Sequence, residues 1–397
     1  MAENKFETTH EFKSFRDALG AGRNEFTIVG ILIGFFFYIR FFTQYQTEGF
    51  IGILILLGIT MGTWLAFRPS EWAVEGIESL AGHKRYTAYM AGLLSSLASN
   101  MPEAVVSGLS AWSGYTNPDP VIGAQLLDIA ILSVLIAAGF NMLLLGVTIV
   151  IATRGKGDMD VPSEVIKKDS VLIRWTIVAL VSMFALGVLD LITTSSTGNV
   201  HTFPREASAV LFLSYIVYAF SLREEEVGET SEPPPLIEPQ FSKRHTMILM
   251  IMGFIGIFFA GEMLTFSVET LLETQHELVA TLGDPVYIAA FILGAAGALP
   301  EHGIAVIAAT KGKVGLAIGN LIGGVLQITL LVAGGIGIFV PIPLDKYVLF
   351  QIVVLAGSLW FLKRNIADDK KLDMFEGLMI ILLQAYVFVL LLIGTSG

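Results

Sequence analysis

The sequence predicts an all-α polytopic membrane protein of about eleven transmembrane helices, with one extra helix followed by two repeats of five. The chain of 397 residues is 54% apolar and only 15% charged, whereas an ordinary soluble domain is about 25% charged. In addition, a short signature at residues 99–103 (SNMPE) returns about two hundred positions later at residues 297–301 (GALPE). The composition predicts that the chain lies in a membrane, and the recurring signature predicts that it contains two repeats.

Eleven apolar stretches are long enough to cross about 30 Å of hydrocarbon. They lie near residues 26–44, 49–67, 87–113, 121–150, 169–191, 205–222, 246–271, 286–309, 314–340, 346–362 and 375–394. The stretch 121–150 has the length of two helices, but no polar turn divides it, and the matching stretch 314–340 is also long. We therefore expect one long, tilted helix there.

The basic residues predict how these helices are oriented. With the amino terminus inside, nineteen lysines and arginines fall on inner segments, and only Arg205 and Lys346 fall on outer loops. Such residues concentrate on the cytoplasmic side of membrane proteins. We therefore expect the amino terminus inside and the carboxyl terminus outside. Dividing the stretch 121–150 would reverse every later loop and spoil this match.

The repeats define four segments. Residues 1–48 hold a cytoplasmic amino-terminal segment and the extra helix, 49–222 the first repeat, 223–244 an acidic, proline-rich cytoplasmic linker and 245–397 the second repeat. An odd number of helices per repeat places the two repeats in opposite orientation. Inverted repeats with interrupted helices near the midplane are typical of secondary transporters. The linker has a solvated composition, and an acidic strip that concentrates cations is the alternative.

The glutamates of the two signatures form the core of a predicted intramembrane cation site. A carboxylate in hydrocarbon costs roughly 2.5–3.5 kcal/mol on insertion scales, and a proline beside it breaks the helix. Both features occur in both repeats, so Glu103 and Glu301 would supply the charge from opposite sides. Carbonyls freed by Pro102 and Pro300 would add the neutral oxygens that divalent cations require. Two protonated, purely structural glutamates are the alternative.

The two repeats resemble the calcium/cation antiporter superfamily, in which a proline or small residue precedes an intramembrane glutamate and a glycine-punctuated helix follows. Three details look more like its cation/proton exchanger branch. Glu301 is followed by His302, and residues 319–328 (GNLIGGVLQI) resemble that branch's glycine-rich helix ending in a glutamine. The extra first helix and the acidic linker are the third. The resemblance covers roughly residues 50–395 and implies an antiporter of divalent cations.

The chain also departs from the superfamily pattern. Sodium/calcium exchangers typically carry Thr and Ser just before both glutamates, whereas Gly297 and Ala298 here have no side-chain oxygen. This difference argues against sodium sites built from those hydroxyls. The cation/proton branch usually has Gly-Asn there, which the first repeat half matches with Asn100 and the second loses. Asp128 stands where that branch commonly has asparagine, so we interpret the chain as a divergent member.

The candidate site residues are polar side chains in apolar surroundings. The predicted cation ligands are Glu103, Glu301, Asp128, Gln327, Asn100 and Ser99. The accessory or proton-linked candidates are His302, Gln125, Asn320, Glu71 and Glu262. Structural roles are the alternatives, because a histidine can simply orient a glutamate, polar residues join helices and acids at helix ends can be interfacial.

These observations predict a secondary antiporter, not an enzyme, that exchanges a divalent cation, expected to be Ca²⁺, for H⁺ by alternating access. Na⁺ coupling, or Mg²⁺ or Mn²⁺ as substrate, would keep the same fold, and a passive cation channel is a further alternative. No hydrolase or P-loop motif is present, and we expect no cofactor. The expected partners are the lipid bilayer and small cations, not nucleic acid, since the net charge is −11. We expect a plasma membrane of a prokaryote or an organelle membrane, and a homo-oligomer is left open.

Overall fold

The computed structural model describes most of the chain. It covers residues 12–20, 22–42, 48–86, 88–161, 166, 170–193, 202–228, 238–274, 284–310 and 314–393. Within these stretches, the side chains that lie outside the description are those at 17, 48–49, 88–93, 190–191, 193, 221–228, 299–310, 314–316 and 393.

Helices make up nearly all of the described chain. In order they are α1 (Phe15–Leu19), α2 (Arg23–Phe42), α3 (Glu48–His83), α4 (Ala88–Ser99), α5 (Met101–Thr116), α6 (Pro120–Thr153), α7 (Ser170–Thr193), α8 (Arg205–Gly228), α9 (Lys243–Thr274), α10 (Pro285–Thr310), α11 (Val314–Gln327), α12 (Ala333–Phe339), α13 (Lys346–Asp369) and α14 (Met374–Ile393). A π-helical turn, Ile328–Val332, joins α11 to α12.

The helices confirm the prediction of an all-α membrane fold. Each predicted apolar stretch coincides with one helix, with the pair α4–α5 or with the run α11–α12. Within the described residues, eight helices are long and apolar enough to span a membrane. The stretch 121–150 forms the single helix α6, which is buried along most of its length. It occupies the centre of the protein because other helices cover its apolar surface.

Two short strand pairs show that the repeats run in opposite directions. β1 (Asp158–Asp160), after α6, pairs antiparallel with β4 (Lys371–Asp373), between α13 and α14. β2 (Thr202–Phe203), between α7 and α8, pairs antiparallel with β3 (Ile342–Pro343), after α12. Each pair thus joins the loop after the third helix of one repeat to the loop after the fourth helix of the other. Corresponding loops of the two repeats therefore lie at opposite ends of the helices.

The structure corrects two details of the sequence analysis. The helix α10 continues through Pro300, so only the first of the two expected breaks appears as a helix end. A proline inside a membrane helix is tolerated where neighbouring groups satisfy the freed backbone. Helix α8 continues to Gly228, into the predicted linker, because arginine and glutamate are good helix formers. Residues 229–237 of the linker lie outside the described residues.

Candidate functional site

The second helix of the first repeat is interrupted at Asn100, between α4 and α5. Pro102, in the first turn of α5, has no amide hydrogen and cannot donate to the carbonyl of Ala98. The carbonyl of Ser96 accepts from the backbone nitrogen of Asn100 at 3.3 Å and from its Nδ2 at 2.9 Å. It also accepts from the Ser99 hydroxyl at 2.9 Å. The break therefore gathers polar groups at a buried position.

Glu103 lies in the first turn of α5, and only 2% of its surface is exposed. The amino-terminal end of a helix carries partial positive charge, which favours a carboxylate there. A methyl group added at Gly297 of α10 would lie 2.9 Å from Cγ of Glu103. The two signatures therefore meet in space, and a glycine is needed where they meet.

Glu301 follows Gly297 by one helical turn in α10. Residues four apart lie on the same face of a helix, so position 301 shares the face of α10 that meets Glu103. The side chains of Glu301 and His302 lie outside the described residues, and their predicted roles remain predictions.

A second contact between the repeats joins two amides. Nδ2 of Asn100 donates to Oε1 of Gln327 at 2.6 Å, and both side chains are buried. Gln327 ends α11 directly before the π-helical turn, a feature frequent at functional sites that sequence analysis did not predict. Among the described residues, Oδ1 of Asn100 has no hydrogen-bond partner. An amide oxygen beside Glu103 is thus available to a ligand.

Two more buried polar side chains lie close in sequence to Asn100 and Gln327. Nδ2 of Asn320 and Oγ of Ser96 are buried without a partner among the described side chains. Asn320 precedes Gln327 by two turns and shares its face of α11. A methyl group added at Gly323, between them, would lie 3.7 Å from the Ser96 hydroxyl. Ser96 lies one turn before Asn100 in an apolar helix, but no motif in the sequence distinguishes it from the other serines there.

The structure does not bring Asp128 to Glu103. The hydroxyls of Ser107 in α5 and Ser133 in α6 are 3.0 Å apart, and Asp128 and Glu103 lie on opposite sides of that contact along the antiparallel helices. At 1.5 Å per residue, the two acids are about 14 Å apart along the bundle. Asp128 interacts electrostatically with Asp345 near the β2–β3 end, and Gln125 lies still nearer the start of α6.

Asp345 caps helix α13 at this end of the bundle. Its Oδ1 accepts from the backbone nitrogens of Tyr347 at 2.9 Å and Val348 at 2.7 Å. Burial raises the pKa of Asp345, and these two backbone hydrogen bonds oppose the shift. The β2–β3 end therefore carries two partly buried acids, Asp128 and Asp345.

The accessory candidates Glu71 and Glu262 form ion pairs near helix α2. Arg68 contacts Glu71 at 2.8 Å and Glu25 of α2 at 3.6 Å. Arg40 of α2 contacts Glu262 at 3.0 Å. The extra helix is thus attached to the first helix of each repeat. These contacts support the interfacial alternative for both acids.

We expect Glu262→Gln to have a small effect on stability, because interfacial ion pairs in contact with water typically contribute about 0.2–1 kcal/mol. The thermal unfolding midpoint of the purified protein in detergent should fall only slightly, as it should in Asp368→Asn, which removes the exposed pair with Arg364. A much larger fall in Glu262→Gln than in Asp368→Asn would contradict this expectation.

The cluster at the helix break suits a hard cation. Its described members combine one carboxylate, Glu103, with the oxygen-bearing side chains of Ser96, Ser99, Asn100 and Gln327. Oxygen ligands of this kind are preferred by Ca²⁺ and Mg²⁺. The chain has no cysteine, so soft thiolate ligands are not part of the site.

Comparisons with known proteins agree with this architecture. The family profile described as sodium/calcium exchanger protein matches residues 51–222 and 245–394. The fold is similar to the crystal structure of the H⁺/Ca²⁺ exchanger CAX, with a TM-score of 0.65, 17% identity, and 96% of this chain and 94% of that chain covered. It is also similar to the sodium-calcium exchanger NCX_Mj soaked with Na⁺ and Sr²⁺, with a TM-score of 0.54, 20% identity, and 85% and 98% covered. A sequence search of curated proteins gives no match.

Proposed function

Because the chain belongs to the sodium/calcium exchanger protein family, we propose that it exchanges Ca²⁺ for H⁺ across its membrane by alternating access. Membership confirms the resemblance to the calcium/cation antiporter superfamily. It makes the chain a multi-pass membrane cation antiporter, not an enzyme, that needs no cofactor. The identity of both ions and the residues that bind them are our proposal.

The observation that carries the proposal is the burial of Glu103 against Gly297, where the two repeats meet. In an inverted repeat, a site at this junction can be approached from either side of the membrane by a relative movement of the repeats. The Asn100–Gln327 hydrogen bond also crosses this junction. Movement between the repeats would therefore rearrange charged and neutral ligands together.

We propose that Glu103 and Glu301 supply the charge that binds the cation. Ser99, Asn100 and Gln327 supply neutral oxygens, with Asn320 beside them on α11. Asp128 and Gln125 lie nearer the β2–β3 end, where Asp128 and Asp345 would attract cations approaching the site. His302, which follows Glu301, is assigned a proton-linked role.

Proton coupling follows from the environment of the carboxylates. Burial favours a protonated carboxyl group, and a nearby cation favours the ionised form. Protons and Ca²⁺ therefore compete for the same glutamates. Position 297 has no room for a hydroxyl-bearing side chain because Glu103 packs against it. This crowding favours protons over a sodium ion that would need hydroxyl ligands from the second repeat.

The proposal predicts that Ca²⁺ uptake by proteoliposomes is driven by an opposing proton gradient. Uptake is measured with a proton gradient, with a sodium gradient and with neither, at a clamped membrane potential. We expect strong uptake in the first condition only, and competition by Mg²⁺ and Mn²⁺ reports the choice of metal. Uptake driven by the sodium gradient alone would mean that the counter-ion is Na⁺ and not H⁺. Equal uptake in all three conditions would indicate a passive channel.

A further inference from the structure

A cavity of about 570 Å³ lies beside the helix break, between α5, α8 and the run from the π-helical turn to α12. Its inner end is formed by Leu97 and Asn100, and its outer end by Trp112 and Phe339. This volume is within the range of ligand-binding pockets. The cavity thus extends from the surface of the helix bundle to the candidate site.

The lining makes this cavity unsuitable as a path for hydrated cations. Among its described lining residues, Asn100 alone has a side-chain oxygen, and nearly all the others are apolar. Apolar cavities of this kind stay dry and accept apolar ligands. A hydrated cation would lose its water shell here without gaining replacement ligands.

The mouth of the cavity is edged by exposed aromatic side chains. Trp112 is 58% exposed and Phe339 is 73% exposed, and we infer that these large apolar side chains on a membrane-spanning bundle lie against lipid. Trp112 and the exposed Tyr115 lie in the last turns of α5, towards the β2–β3 end. Tryptophan and tyrosine are enriched where the headgroups begin, so the mouth lies near the membrane surface.

The length of the cavity matches one leaflet. From Asn100 to Trp112, helix α5 rises by about 18 Å at 1.5 Å per residue. Half of a hydrocarbon core of about 30 Å is about 15 Å. We propose that an acyl chain of a phospholipid from the leaflet on the β2–β3 side occupies this cavity and reaches Asn100. The chain would seal this flank of the cation site against water, whichever ions are exchanged.

The occupant can be identified by photocrosslinking. The protein is reconstituted with a phospholipid that carries a diazirine at the end of one acyl chain, and adducts are located by mass spectrometry. We expect adducts on the inner lining residues Ala104 and Leu331 as well as on exposed residues such as Val217. Adducts confined to the exposed residues would overturn the proposal.

A matched pair of variants tests whether the inner adducts depend on the cavity. Methyl groups added at Gly108, in the lining, and at Gly357, on the exposed face of α13, both meet open space. Gly108→Leu should therefore fill the cavity and remove the adducts on Ala104 and Leu331, while those on Val217 persist. Gly357→Leu should keep both sets. Inner adducts that persist in Gly108→Leu would contradict the proposal.

Water is the competing occupant, and the absence of native cysteine allows a direct test. In Gly108→Cys, the introduced thiol should resist a charged, membrane-impermeant thiol reagent applied from either side, because a thiol in an apolar, water-free cavity stays protonated and only the thiolate reacts. Rapid reaction with the charged reagent would mean that the cavity is water-filled, which overturns the assignment to lipid.

Discussion

Replacing Glu103 with glutamine is expected to reduce gradient-driven Ca²⁺ uptake to the level of empty liposomes. Glutamine keeps the shape of the side chain but has neither the negative charge that binds the cation nor a carboxyl group that takes up a proton. Both halves of the proposed cycle therefore fail. The measurement is uptake in proteoliposomes under an opposing proton gradient, together with Ca²⁺ binding to the purified protein.

Asp368→Asn is the matched control for charge, because it removes an exposed carboxylate from the surface of α13. This variant should transport like the unmodified protein. Glu301→Gln should show the same loss as Glu103→Gln if the two repeats contribute equivalent ligands. Coupled uptake that persists in both glutamine variants would disprove the assignment of these residues to the site.

The second large effect is expected from Gly297→Val. The added Cβ would lie 2.9 Å from Cγ and 3.3 Å from Cα of Glu103, so the carboxylate or helix α10 has to move. Overpacking a core costs about 1–3 kcal/mol, which lowers the thermal unfolding midpoint. We expect transport to fall far more than stability, because the displaced group is the proposed ligand itself. Gly297→Ala should cause a smaller loss of the same kind.

The control for Gly297→Val is Gly357→Val, in which the new side chain enters open space on α13. It should leave both uptake and the unfolding midpoint nearly unchanged. If Gly297→Val lowers the midpoint strongly while the folded fraction retains full uptake, position 297 is only a packing contact. The assignment of this contact to the cation site would then be wrong.

The spans and the break in the first repeat could be predicted because they depend on local sequence. The length of an apolar stretch determines whether a helix can cross the membrane. The charges of the loops predicted that the stretch 121–150 forms one helix, not two. The interruption at Asn100 followed from Pro102, which has no amide hydrogen to give. Each of these features is encoded within a few turns of chain.

Other features depended on packing and escaped sequence analysis. Pro300 has the same local sequence signal as Pro102, yet α10 continues through it, so the surroundings of a proline decide whether the helix ends. Arg40 of α2 pairs with Glu262. Arg68, which pairs with Glu71, also contacts Glu25 of α2. The distance between Asp128 on α6 and Glu103 on α5 depends on how these two helices are aligned.

The sequence by itself determined that this is a helical membrane protein with two repeats, each carrying a glutamate next to a proline. It did so because membrane insertion and helix breaking are governed by short stretches of chain. Only the tertiary structure decided that Glu103 packs on Gly297 and that Asn100 bonds to Gln327. These partners are about two hundred positions apart in sequence, and the packing of the inverted repeats alone brings them within contact distance.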